Sequence, residues 1–207
     1  MHLELITGPA TEPVTVLEAK SHARIETTAD DTAIALYLAT ARERVELTIG
    51  RALLTQTWRL WLDAANIFTD DEWWDGTRDG PEWSIQLKPI ELPYGPPLVQ
   101  IVEVLNYDAN GRDTALDPAL YYADTVGSRL CSTVGSSWPA PGRVANGMSI
   151  EYVVGTLEAE DVPAGIKHAI LETFSFLYEH RGDERVAVGV LPLAAMAVLQ
   201  PYMSFAL

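Results

Sequence analysis

Six carboxylates crowd one stretch of this chain. Asp70, Asp71, Glu72, Asp75, Asp79 and Glu82 stand against a single cation, Arg78, and are interleaved with Trp73, Trp74 and Trp83. Such a cluster could hold a cation, supply paired acids for hydrolysis, or meet a basic partner. A calcium loop needs oxygen ligands at its first, third and fifth positions ahead of a glycine. Counting from Asp71 puts Trp73 third, so that pattern fails. A glycosidase needs two carboxyl groups at a set separation, and nothing in the spacing fixes one. The stretch therefore reads first as a solvated loop and second as a partner contact through Asp70, Asp71, Glu72, Trp73 and Trp74; a metal site comes last.

The other reactive side chains give no constellation. His2, His22, His168 and His180 lack metal-ligand spacing, and His168 and His180 read as surface or helix-end residues. Cys131 has no nucleophile signature around it and reads as a buried or half-buried thiol. Gly135-Ser136-Ser137 only superficially approaches a nucleophile elbow, and no phosphate-binding glycine loop occurs. The expectation is a protein with no catalytic residue, no cofactor and no metal, hence not an enzyme.

Composition narrows the class further. The chain has 207 residues, 48% hydrophobic, with a net charge of −15. That is a globular composition, with mass for a real core. The charge disfavours tight DNA binding, which needs clustered Lys and Arg. It leaves DNA open as a neighbour, because a negative passage would let DNA move without sticking. From charge alone, an acidic solvated surface is the first reading. The start of the chain has neither the basic residues nor the apolar run of a signal peptide, and a single cysteine excludes an internal disulfide and points to a reducing compartment. The longest apolar run, Val186 to Leu199, is too short to span a bilayer and contains Pro192.

The elements follow from spacing. Thr15 and Glu18 have capping-box spacing and start a short helix over 15–24. Asp30-Asp31 opens a second helix whose core face is Ile34, Leu38, Ala41, Val45 and Ile49, stopped by Gly50. Leu36 and Leu47 fall on its far side. Strand alternation begins at Leu54 and carries Trp58, Leu60 and Leu62; large rings such as Trp58 and Trp61 usually pack in a core there. The acidic loop then runs from 64 to 83. Further strands are expected at 84–88, 99–107, 121–124 and 148–154, with Asn110-Gly111 as a tight turn, Pro89 to Pro97 as a break, and 125–147 as a long loop. Of the adjacent Tyr121 and Tyr122, one faces in and the other out. Pro163 starts a helix with a full apolar stripe, Ile166 to Tyr178, and Leu171 and Phe176 lie outside that stripe, which suggests cover from another subunit. Pro192 starts a last short helix and Pro201 ends it. The fold class is α+β: a helical bundle of N- and C-terminal helices (1–52 plus 158–207) with an inserted antiparallel β unit (53–157). The apolar tail must be buried somewhere.

Taken in order, several segments resemble one family. They are Val16-Leu-Glu-Ala-Lys-Ser-His22 with Ile25, Asp30-Asp31, Glu46 through Gly50-Arg51-Ala-Leu53, Thr55-Gln-Thr-Trp58, Tyr107-Asp-Ala-Asn-Gly111, Glu151-Tyr-Val-Val-Gly155, Val162-Pro163 with Ile166-Lys167 and Ala169, Tyr178-Glu-His-Arg181, and Leu191-Pro192 to Pro201-Tyr202. They cover nearly the whole chain and resemble the head–tail connector (adaptor) proteins of long-tailed bacteriophages and gene transfer agents. The loop over 64–83 looks longer than usual for that family. The resemblance implies a structural virion protein, a ring commonly of twelve copies (a dodecamer) below the portal that extends the DNA channel. Double-stranded DNA would pass without specific binding, and there would be no membrane partner. The tail would grip the portal protein, with Leu191, Leu193, Met196, Leu199, Tyr202 and Phe205 as anchors. Leu36, Leu47, Leu171 and Phe176 would be the subunit interface, and the acidic tryptophan loop would meet a downstream neck (stopper) protein. The location would be the viral neck of a particle assembled in the bacterial cytoplasm. A reading of a different class is a carbohydrate- or ligand-binding β module using the tryptophan-rich loop; an acid-dependent hydrolase is a distant third.

Overall fold

The computed structural model describes residues 1–64, 89–134, 136–155, 158–183 and 191–203. The chain divides into two compact units, one of Met1–Gly8 with Gln56–Gly155 and one of Pro9–Thr55 with Thr156–Leu207. The fold is mixed α+β, with helices in the second unit and antiparallel sheets in the first.

The helical unit contains α1 (Val16–Ala23), α2 (Asp31–Ile49), α3 (Ala164–Glu179) and α4 (Leu193–Leu199). Helix α1 begins with the expected capping box: the Glu18 N–H donates to Thr15 Oγ1 and the Thr15 N–H donates to the Glu18 carboxylate. Helix α2 ends at Gly50, whose φ of +70° suits a residue without a Cβ. All five expected core residues of α2 are buried, and they pack with Ile166, Ala169, Ile170, Phe174 and Leu177 of α3. Two charged groups share that interior. Arg42 is 4% exposed and Glu46 is 3% exposed, and they pair with each other. The Arg42 guanidinium also donates to Glu12 at 2.9 Å, and Glu46 accepts the Leu53 N–H at 2.8 Å. Burial pushes the Glu12 carboxyl above its ordinary value, and the adjacent Arg42 opposes that shift.

The other unit carries β1 (His2–Thr7), β2 (Gln56–Leu62), β3 (Ile90–Glu91), β4 (Leu98–Tyr107), β5 (Asp113–Ala115), β6 (Tyr121–Asp124), β7 (Arg129–Ser132) and β8 (Met148–Val154). One antiparallel sheet has the order β1-β2-β8-β4-β5 and a second has the order β3-β7-β6. Register places Leu60 opposite Ile150, which is opposite Val104, on the buried face. Trp58 stacks on Tyr94 with ring centroids 4.6 Å apart. The β4–β5 turn closes at Gly111, φ +79°, with the Asp108 carboxylate accepting from the Asn110 and Arg112 N–H groups. Tyr121 is half-buried and Tyr122 is exposed.

Three expectations need correction. Residues 125–147 are not one loop, because β7 lies inside them with Leu130 fully buried. Residues 1–8 belong with the strands: β1 pairs with β2 from His2↔Trp61 to Thr7↔Thr57, and its partner lies more than 50 residues away in sequence. The proline-rich break holds a short strand, β3. The strand expected at 84–88 lies outside the described residues.

Removing one partner of a buried pair strands the other charge, which costs about 3–5 kcal/mol. Arg42→Ala is expected to lose that much in urea unfolding followed by circular dichroism. Thr15→Ala is expected to cost about 1 kcal/mol through the lost cap. The Thr15 backbone N–H and hydroxyl hold Glu18 below its ordinary value of 4.5. Its stabilisation is therefore present above 4.5 and lost as pH falls through the depressed folded value. The stability gap between wild type and Glu18→Gln is expected to shrink steadily below 4.5.

Candidate functional site

The carboxyl-terminal segment is where sequence and structure differ most. Leu191 is buried and Leu199 is fully buried, both within the core of the chain's own helical unit, together with Ala195. Assigning these two as portal anchors is corrected here, because α4 packs on α3 and closes that core itself. Met196 and Tyr202 are half-buried against it. Tyr202 lies so close to Gly165 that a Cβ there would sit 2.9 Å from the phenol oxygen. Leu193 alone of the described anchors stands clear, at 89% exposed. Phe205 lies outside the described residues, as do Asp70, Asp71, Glu72, Trp73 and Trp74.

The four expected subunit-interface residues separate into two kinds. Leu36 and Leu47 are 66% and 68% exposed. With Thr40 and Glu43 they form the α2 stripe directly opposite its core face, as i, i+4, i+7 and i+11 spacing requires. Leu171 and Phe176 are half-buried on opposite flanks of α3. Leu171 packs against the unit's own core. Phe176 lies tilted against His180, ring centroids 4.5 Å apart, and lines a cavity of about 520 Å³ with the end of α1, Glu172, Ser175, Glu179 and Pro192.

Two segments far apart in sequence meet in the helical unit. Tyr178 donates to the Asp30 carboxylate at 2.8 Å, and the Arg181 guanidinium reaches the same carboxylate at 3.5 Å while lying over the Tyr178 ring. The end of α3 is thereby tied to the start of α2. His22 and His168 flank Glu172 at 3.7 and 3.8 Å, with the imidazoles edge-on to each other. His180 caps α3 through a ring contact to the Phe176 carbonyl. Cys131 is buried on β7. No group of three metal-ligating side chains is assembled among the described residues, and none of the described helices is long and apolar enough to cross a membrane.

No protein-family model matches this chain, and no curated protein does. Solved structures do. A chain from the neck of an empty GTA particle computed with C6 symmetry is 21% identical with a TM-score of 0.71. One from the neck of a native GTA particle computed with C12 symmetry is 20% identical with a TM-score of 0.70. One from the virion of a native gene transfer agent particle is 22% identical with a TM-score of 0.68. Each likeness covers 100% of this chain and 97% of the other. The chain has the fold of those neck and virion chains.

One feature of the strand unit was missed from sequence. Arg59 on β2 lies in register between Glu4 on β1 and Glu151 on β8, and Glu151 is opposite Glu103 on β4. Arg59 pairs with Glu151 and approaches Glu103 at 3.8 Å, so one guanidinium serves two carboxylates of that row, while the Glu4 carboxylate accepts from the Trp61 indole N–H. Alternation along each strand marked the face, but the pairing partners come from 92 residues apart and only register shows them.

Leu199→Ala is expected to destabilise the protein by about 2–5 kcal/mol through loss of core packing. Leu193→Asp is expected to leave thermal unfolding unchanged within ~0.5 kcal/mol. Equal destabilisation by both would contradict the placement of α4.

Proposed function

We propose that this chain is a structural component of a phage-like particle's neck: a head–tail connector (adaptor) without a chemical step of its own. The observation that carries this reading is the likeness in fold over the whole chain to neck components of gene transfer agent particles. Necks computed with C6 and C12 symmetry support assembly as a ring, and the reading takes twelve copies below a portal protein, with a stopper protein beneath. The portal-facing surface on this reading is the exposed side of α4, with Leu193 as its apolar anchor and Met196 and Tyr202 beside it. Leu191 and Leu199 hold α4 in place from below. The acidic tryptophan loop is assigned to the downstream partner. A net charge of −15 per copy, repeated around a ring, would keep translocating DNA from adhering to the bore.

Purified chain mixed with its portal is expected to form a ring complex in negative-stain images. Leu193→Asp should prevent that complex while circular dichroism stays native. A wild-type chain that leaves the portal bare at every concentration would sink the proposal. DNA retention on the assembled ring at low salt provides a separate check, with weak retention expected.

A further inference from the structure

Two asparagines of this chain are followed directly by glycine, Asn110-Gly111 and Asn146-Gly147. Glycine has no Cβ, so its backbone nitrogen can reach the preceding side-chain amide with little hindrance. Ring closure at such a pair forms a cyclic imide and releases ammonia. The fold treats the two pairs differently.

Asn146 is held from both sides. Its N–H donates to the Asp63 carboxylate at 2.8 Å, and its carbonyl accepts from Arg143 Nε at 2.7 Å. Gly147 is buried, and a Cβ there would sit 2.4 Å from Pro141 and 2.7 Å from the Arg143 carbonyl oxygen. The Gly147 carbonyl accepts the Tyr107 N–H, and β8 starts at the next residue. Turning the Gly147 nitrogen onto the Asn146 side chain would break these contacts. Asn110 and Gly111 are instead both exposed, at the tip of the β4–β5 turn. The attacking nitrogen is engaged by a turn bond, Gly111 N–H to the Asp108 carbonyl at 3.0 Å. Strand β5 beyond it has three residues, all exposed, so local opening costs little. A Cβ on Gly111 would lie 3.7 Å from Arg143 Nη1. A guanidinium that close favours the negative charge left on the nitrogen when its proton departs.

We infer that Asn110 is a site of spontaneous deamidation, and that its conversion releases β5 from β4. The Gly111 nitrogen gives its proton to solvent base and bonds to Asn110 Cγ. The Cγ–Nδ2 bond breaks, Nδ2 takes a proton from water, and ammonia leaves. A water molecule then opens the imide. Opening at Cγ gives aspartate; opening at the backbone carbonyl gives isoaspartate, with one more carbon in the main chain. Nothing is oxidised or reduced. Either product sets a new carboxylate near Asp108, whose own carboxylate holds the Asn110 and Arg112 N–H groups. Isoaspartate also lengthens the turn, and the register Asn106↔Thr114 and Tyr107↔Asp113 is lost.

Peptide mapping by mass spectrometry tests the site, with the full chain kept in mildly alkaline buffer either native or unfolded in urea. In urea the two asparagines are expected to convert at similar rates. In the native chain Asn110 is expected to convert at least about tenfold faster than Asn146. Equal native rates, a faster Asn146, or no native conversion of Asn110 overturns the assignment. Hydrogen exchange tests the consequence. The Asp108 and Leu116 amides donate to the Arg112 and Val104 carbonyls at 3.0 and 2.8 Å. Both are expected to lose protection in the converted chain and to keep it in Asn110→Gln incubated alongside. Unchanged protection after conversion, or equal loss in Asn110→Gln, overturns the release of β5.

Discussion

A buried guanidinium organises the helical unit. Arg42 sits inside the core and cannot stay there unpaired, because an uncompensated charge in that interior costs several kcal/mol. Its partners are Glu46, one turn along α2, Glu12, on the segment that leads into α1, and the more exposed Glu43 at 3.6 Å. Glu46 in turn holds the Leu53 backbone N–H just beyond the end of α2. The chain passes between the two units beside both segments, at residues 8–9 and 55–56. One ion-pair network therefore fixes the approach to α1 and the exit from α2. Apolar packing alone would leave both less defined.

The second half of the chain completes the same unit through ordinary burial. Helix α3 supplies one apolar face and α4 lies across it, with Leu191, Ala195 and Leu199 filling the remaining space. Tyr178 and Arg181 then fasten the end of α3 to Asp30. The core is satisfied within one chain. Among the described residues of this unit, the exposed leucines are Leu36 and Leu47 on α2, Leu193 on α4, and Leu17 on α1. Exposed leucines held on a rigid helical frame suit docking, since little side-chain or backbone order has to be gained on binding.

Much of this frame was legible in the sequence. The capping box at Thr15 and Glu18, the five-residue core face of α2 and the stop at Gly50 are local features with a period of 3.6, and such features do not depend on distant partners. The same holds for the core face of α3 and for strands β2, β4, β6 and β8. Strands β1 and β7 were hidden. The first has almost no buried residue to mark alternation, and the second is four residues long inside a stretch rich in Gly, Ser and Pro. The candidate surfaces were half legible: periodicity placed Leu36 and Leu47 outside, while the hollow beside Phe176 needed α1, α3 and Pro192 brought together.

The tail shows the boundary most clearly. Sequence alone determined that the stretch around Leu191 to Leu199 must leave water, because apolar area of that size is unfavourable when exposed. It could not say whose core would receive it. The tertiary structure decided that α3 receives Leu191 and Leu199 and leaves Leu193 outside, because only the placement of a second helix fixes which face of the last one is covered. Hydrophobicity is a property of residues; shelter is a property of their neighbours in space.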